Sequence, residues 1–277
     1  MTVDMDMWLS YEPQPVQSKK TLGPAVVISI FNQKGGVGKT TSTISLGAAL
    51  AETGRKVLVV DFDPQGSLTV GLTGNHDITP SMYEVILGQN PASDVILKTR
   101  TSGLDLLPAN IQLSAAENLL FQDMGREFSL QRALTPLLDQ YDYILIDCLP
   151  SLGLLAINAL ATSQFLIIPV QCEYYALKGL GLLLETLEKT QQRINPGISI
   201  LGLLATRVGR SLHHRETFEL IIDGFGDKVF HTLIPDTVKV SDSTIEAQPI
   251  TEYAKTSNAA IAYRKAAAEI IERVEGK

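Results

Sequence analysis

The chain has 277 residues, of which 45% are hydrophobic and 19% charged. That composition fits an ordinary globular protein with a substantial core, long enough for one large α/β domain or two small ones. The formal net charge of −7 excludes a chain coated in positive charge, so nucleic-acid binding would need a local patch.

Residues 1–23, which include Pro13 and Pro15, show no periodicity and are expected to form a flexible tail with room for a partner-binding role. Met1-Thr2-Val3-Asp4 has no basic region leading into an apolar stretch, so a secretory signal is not expected. No apolar run approaches the roughly 18 residues that a membrane-spanning helix needs. From there strand and helix alternate. Ala25–Phe31 reads as a buried strand, followed by a glycine-rich loop and a helix over Thr40–Glu52 that Gly54 ends. Lys56–Asp61, Tyr143–Asp147, Phe165–Val170 and Ile198–Leu204 read as further strands of the same apolar kind. Helices are predicted over about Leu154–Ala161, Tyr175–Arg193, His213–Phe225 and Asn258–Val274. Apolar strands without polar alternation, separated by helices, predict a doubly wound, mostly parallel α/β sheet with helices on both faces. No internal repeat is visible, so residues 24–277 are expected to form one domain. Cys148 and Cys172 lack CxxC spacing and suggest neither a disulfide framework nor a zinc site, which makes a reducing cytoplasm the expected compartment.

The chemistry is concentrated in three strand ends. Gly35, Gly36 and Gly38 let backbone N–H groups approach phosphate oxygens, and the helix N-terminus that follows adds a favourable dipole. Lys39 is placed to reach the β- and γ-phosphates of a nucleotide, and the Thr40 hydroxyl to ligate Mg²⁺. Lys34, before the first loop glycine, is a second positive charge where transition-state charge must be neutralised. Asp61 and Asp63 follow the second apolar strand, at the end where open α/β sheets bind ligands. Strand periodicity puts them on one face if the strand persists that far; a solvated turn carrying two acids is the alternative. Asp147, at the end of a third such strand, can hold Mg²⁺ directly or through water. Cys148 reads as a small packing residue, not a nucleophile.

Phe31-Asn32-Gln33-Lys34-Gly35-Gly36-Val37-Gly38-Lys39-Thr40-Thr41 resembles the deviant Walker A motif of the ParA/MinD ATPases. The likeness runs from about Val26 to the C-terminus, through Asp61-Phe62-Asp63-Pro64-Gln65 and Asp147-Cys148-Leu149-Pro150-Ser151, where Leu149 replaces the family's usual proline. Pro169–Gly179, Val229–Pro235 and Ala262-Tyr263-Arg264 are similar to the ParA (Soj-like) partition branch. The resemblance implies an ATPase of the P-loop type, with residues 34–41 holding ATP and Lys34 reaching the nucleotide of the opposite subunit in a sandwich dimer. It implies that Asp63 positions the attacking water and that Asp61 helps hold Mg²⁺ through water. It further implies nonspecific binding of double-stranded DNA and activation by a ParB-like protein, in a cytoplasmic, nucleoid-associated setting for chromosome or plasmid partition. By motif match, Arg210, Lys239 and Lys255 stand at DNA-contacting positions, although residues 207–277 are not net basic and Asp236 stands where the family commonly has arginine.

Three alternatives share part of this pattern. A MinD-like membrane ATPase would need a basic amphipathic C-terminal helix, whereas Ala266–Lys277 is alanine-rich and acidic and reads as a packed closing helix. An iron–sulfur reductase would need cluster cysteines in other motifs than those holding Cys148 and Cys172. A ParA-like factor positioning a non-DNA cargo differs only in its partner, which the residues do not distinguish.

Overall fold

The computed structural model describes Glu12 and residues 23–172, 176–209 and 212–276. The expected flexible tail, residues 1–23, therefore lies mostly outside the described residues.

β1 (Val26–Ile30) leads through a loop into α1 (Lys39–Glu52), and β2 (Val57–Phe62) follows. Gly54 leaves α1 with φ of +84°, the left-handed conformation that ends a helix at little steric cost. Next come α2 (Ser67–Thr73), α3 (Met82–Ile86), β3 (Leu97–Lys98), β4 (Leu104–Leu107), α4 (Leu113–Leu120) and α5 (Ser129–Leu134). β5 (Tyr143–Cys148), α6 (Leu154–Thr162), β6 (Phe165–Gln171), α7 (Ala176–Arg193), β7 (Ser199–Thr206) and α8 (Leu212–Phe225) alternate, and α9 (Val238–Ile245) and α10 (Asn258–Glu275) complete the described fold.

The strands form one seven-stranded sheet, in the order β3-β4-β2-β5-β1-β6-β7. Every pairing is parallel except β3 with β4 at one edge. All six residues of β2 and of β5 are buried. Strands covered on both faces read as near-continuous apolar runs, which is why they show no alternation. One core packs α3 to α8 against one face; the other packs α1, α2 and α10 against the opposite face. The doubly wound, mostly parallel sheet expected from the strand pattern is the sheet observed. Periodicity does not assign the β3–β4 edge or the short helices between Ser67 and Leu134, because elements this short complete no more than about two periods.

α1 lies so close to the sheet that a Cβ on Gly47 would sit 2.8 Å from Val59 Cγ1 and 3.1 Å from Leu104 Cδ1. α10 covers α1 from outside and is fastened at its far end. Arg55 donates to both carboxylate oxygens of Glu275 (2.9 and 2.8 Å), and the Tyr143 hydroxyl donates to the same carboxylate at 2.7 Å. Further back along the helix, the buried Glu269 accepts from the backbone N–H groups of His231 and Thr232 and from Arg273. The acidic end of the chain is thus a packed closing helix held by paired charges, as its composition suggests.

Candidate active site

Parallel strands that share a direction deliver their C-terminal ends to one edge of the sheet, and the crevice there is built from whatever follows each strand. Here β1, β2, β5, β6 and β7 all contribute. The loop after β1 is held from three sides. Asn32 Nδ2 donates to the Pro169 carbonyl in β6 at 2.8 Å, and Asn32 Oδ1 accepts from the Lys34 N–H at 3.0 Å. Gln171, the last residue of β6, donates from Nε2 to the Gly36 carbonyl at 2.9 Å and accepts from Lys34 Nζ at 3.3 Å. Thr206, the last residue of β7, donates from Oγ1 to the Val37 carbonyl at 2.8 Å. These bonds turn the Gly36 and Val37 carbonyls toward the protein body.

Gly36 and Gly38 have φ of +74° and +86°. A Cβ on Gly35 or Gly36 would meet nothing within 4 Å, so the loop borders open space. Gly38 is the N-cap of α1, and no side chain caps that helix. The first-turn N–H groups, including those of Thr40 and Thr41, are the donors a helix start offers to an anion.

Lys39 is buried, at 7% exposure, and its Nζ donates to the Lys34 carbonyl at 3.1 Å. Burial pulls its pKa below the ordinary lysine value, and the nearby Asp147 pulls it back up. Thr40 Oγ1 donates to Asp147 Oδ2 at 2.6 Å, while Thr43 Oγ1 donates to Asp147 Oδ1 at 3.4 Å. Asp61 and Asp147 are register partners on adjacent strands, and both are fully buried. Burial, then the charge of Asp61, raises the Asp147 pKa well above the usual carboxylate value. Burial likewise pushes Asp61 up to about 6, even though Thr69 donates to its Oδ2 from both N–H (2.8 Å) and Oγ1 (2.6 Å).

The strand does not persist far enough to put Asp61 and Asp63 on one face. β2 ends at Phe62, and Asp63 enters a turn in which its Oδ1 accepts from the Gln65 N–H at 3.0 Å. Asp61 is buried against Thr69, whereas Asp63 is half-buried and lies within electrostatic reach of Lys39. The divergence follows from the need of a sharp turn before Gly66, the left-handed N-cap of α2. Lys34, Lys39, Thr40, Asp63 and Asp147 do come together. Gln171, Thr206 and Thr69 escape sequence reasoning, although for Gln171 and Thr206 a polar residue closing an apolar strand is a recognisable signal.

Of the residues expected to meet DNA, Arg210 lies outside the described residues. Lys239 on α9 and Lys255 are exposed, and α9 packs against the turn Ile250–Tyr253 that precedes Lys255. Asp236 is exposed and accepts from Arg207 Nε at 3.5 Å. Both cysteines are buried free thiols, and burial raises their pKa values, that of Cys172 to about 12. Among the described residues no helix is long and apolar enough to cross a membrane.

These groups fit a nucleotide phosphate with its magnesium. The loop presents glycine backbone to open space, the buried lysine supplies fixed positive charge, and Thr40 with Asp147 forms the hard oxygen pair that Mg²⁺ prefers. Two adjacent buried carboxylates that repel one another gain from a cation.

Residues 25–200 match the family model described as an AAA domain. An uncharacterized protein of Mycobacterium tuberculosis is 48% identical over 265 residues, covering 95% of this chain and 82% of that protein. The sporulation initiation inhibitor protein Soj of Bacillus subtilis is 44% identical over 246 residues, 88% of this chain and 97% of Soj. A crystal structure of cobyrinic acid a,c-diamide synthase from Mycobacterium smegmatis, with bound ATP analog and magnesium, superposes with a TM-score of 0.80 at 40% identity, over 91% of this chain and 97% of that one. The chain belongs to the ParA/Soj group of the ParA/MinD P-loop ATPases, and it is an ATPase whose cofactors are ATP and Mg²⁺.

Proposed function

We propose that this ATPase is a switch for chromosome or plasmid partition. In the ATP form two copies pair face to face and bind double-stranded DNA without regard to sequence; hydrolysis, stimulated by a ParB-like partner, separates and releases them. The observation that carries this reading is Lys34. It is half-buried at the rim of the phosphate loop beside the exposed Gly35 and Gly36, with its ammonium donating to Gln171 Oε1 at 3.3 Å. A lysine on the open side of the loop can serve a nucleotide approached from a second copy.

The roles follow the geometry. Backbone N–H groups of Gly35, Gly36, Val37 and Gly38, with Thr41 in the first turn of α1, bind phosphate oxygens. Lys39 neutralises charge on the β- and γ-phosphates, and its burial keeps that charge undiluted by water. Thr40 and Asp147 would hold Mg²⁺, with Asp61 behind them acting through water. Bound there, the ion would supply positive charge against that developing on the phosphate. Asp63, half-buried and closer to solvent than Asp61, orients the attacking water. Lys239, Lys255 and Arg210 supply phosphate contacts to DNA. A cytoplasmic, nucleoid-associated location goes with this reading.

Lys34→Ala tests it. The variant is expected to bind ATP normally but to lose ATP-dependent dimerisation and hydrolysis, measured by sedimentation with ATP and Mg²⁺. A variant that dimerises and turns over like the wild type would contradict the cross-subunit role. Pull-down with the ATP-locked Asp63→Ala form identifies the partner, and a non-DNA cargo protein recovered in place of a ParB-like one would assign the switch to positioning of that cargo.

A further inference from the structure

The buried row of α4 is Leu113, Ala116 and Leu120. By helical spacing position 117 belongs to the same row, and it holds a glutamate. A half-buried carboxylate there costs stability unless donors meet it. The donor it finds belongs to another element: Glu117 Oε1 accepts from the Leu155 N–H at 3.1 Å, across 38 residues. That N–H lies in the first turn of α6, whose N-cap is Gly153 and which has neither a capping side chain nor an acid of its own there. Glu117 supplies both, an acceptor and a negative charge at the positive end of the helix.

Gly153 is fitted to this contact. Its φ of −73° and ψ of −170° are open to any residue, so the backbone does not ask for glycine. The Glu117 carboxylate does: a Cβ on Gly153 would sit 2.5 Å from Oε1 and 3.4 Å from Oε2. Residues 149–152, which join β5 to Gly153, thus form a short loop fixed at both ends. At one end Asp147 takes the Thr40 hydroxyl at 2.6 Å, and at the other Glu117 holds the start of α6. The loop leaves β5 at the edge of the sheet where the phosphate loop lies.

We propose that Glu117 is a positioning residue for ATP hydrolysis. On the reading that Asp147 faces the magnesium, Glu117 fixes where residues 149–152 stand beside the reacting phosphate, and itself touches neither nucleotide nor metal. ATP is held by residues 34–41, so loss of this support acts on the rate and not on binding. A displacement of about 1 Å near a reacting centre costs on the order of a hundredfold in rate.

Glu117→Ala should lower the single-turnover rate of Mg-ATP hydrolysis at least about tenfold, with Mg-ATP affinity kept within about twofold. Glu117→Gln keeps an oxygen at the same reach and should retain most of the rate, because a neutral acceptor weakens the bond only by about half. Gly153→Ala should reproduce Glu117→Ala, since the new Cβ displaces the carboxylate, and it leaves α4 unaltered should the first variant not fold. The two together should be no slower than either alone. Unchanged rates in both single variants would overturn the proposal. So would losses that multiply in the double variant, or a fall in Mg-ATP affinity that accounts for the whole effect. Asp147→Asn separates this role from the site itself. Normal binding and turnover in that variant would remove Asp147 and Glu117 together, whereas a defective Asp147→Asn beside a normal Glu117→Ala would overturn only the role of Glu117.

Discussion

Gln171 binds the phosphate loop twice, through the Gly36 carbonyl and the Lys34 ammonium, and so acts on a bound phosphate through the loop it holds. A hydrogen bond of this kind contributes about 1 kcal/mol, roughly fivefold in affinity if the loop must be ordered before it binds phosphate. Gln171→Ala is expected to weaken Mg-ATP binding by about that factor in titration calorimetry. Unchanged affinity would mean that Thr206 and Asn32 suffice to hold the loop. Asp63 poses a different question, because its backbone and carboxylate shape a turn while its position suits water. Asp63→Ala should leave ATP affinity near normal and abolish stimulated turnover, since water would no longer be aligned for in-line attack. Single-turnover hydrolysis distinguishes the two: turnover within a few-fold of wild type would shift the role to Asp61 or Asp147.

At the level of elements, β2 and β5 end side by side in two buried acids, Asp61 and Asp147. The Asp61 carboxyl, raised from an ordinary 3.8 to about 6, keeps its proton more tightly in the folded state than in the unfolded one. The folded protein therefore binds more protons between those values, and stability contributed by this group falls as pH rises through that window. The loss is on the order of 3 kcal/mol once pH exceeds 6, at about 1.4 kcal/mol for each tenfold change in proton affinity. In EDTA, with no nucleotide, Asp61→Asn should therefore gain stability relative to wild type as pH is raised from about 4 to about 7. Urea unfolding at both ends of that range measures it, and a pH-independent gap between the two proteins would contradict the raised carboxyl. The same pair of strand ends shows why the site needs the fold: β5 delivers its carboxylate to the first turn of α1, where the Thr40 hydroxyl meets it at 2.6 Å.

For the whole molecule, a net charge of −7 opposes DNA at long range, so the DNA binding proposed above would have to come from a patch such as the flank carrying Lys239 and Lys255. Lys239→Glu should weaken DNA binding of the ATP form and leave ATP binding intact. Each DNA phosphate that the variant no longer neutralises should flatten the slope of log affinity against log salt by about 0.9, twice over in a dimer that presents the residue twice. Duplexes of unrelated sequence should behave alike, because phosphate contacts carry no sequence information. Titrations at several salt concentrations check both points, and an unchanged slope would remove Lys239 from the interface.

The phosphate loop, the two strand-end acids and the parallel sheet were legible in the residue order, because each depends on neighbours within a few positions. Glycine at left-handed φ, a lysine and a threonine at the start of a helix, and unbroken apolar strands are local demands of the backbone and of burial. The supports of the site were not legible in the same way. Gln171 reaches Gly36 across 135 residues and Thr206 reaches Val37 across 169, and both contacts exist only because β6 runs beside β1 and β7 beside β6. The parting of Asp61 from Asp63 was likewise decided by tertiary structure, since Thr69 on α2 captures one carboxylate while the turn before Gly66 takes the other. Periodicity marks which faces are buried, but the partner that satisfies a buried polar group is fixed by packing.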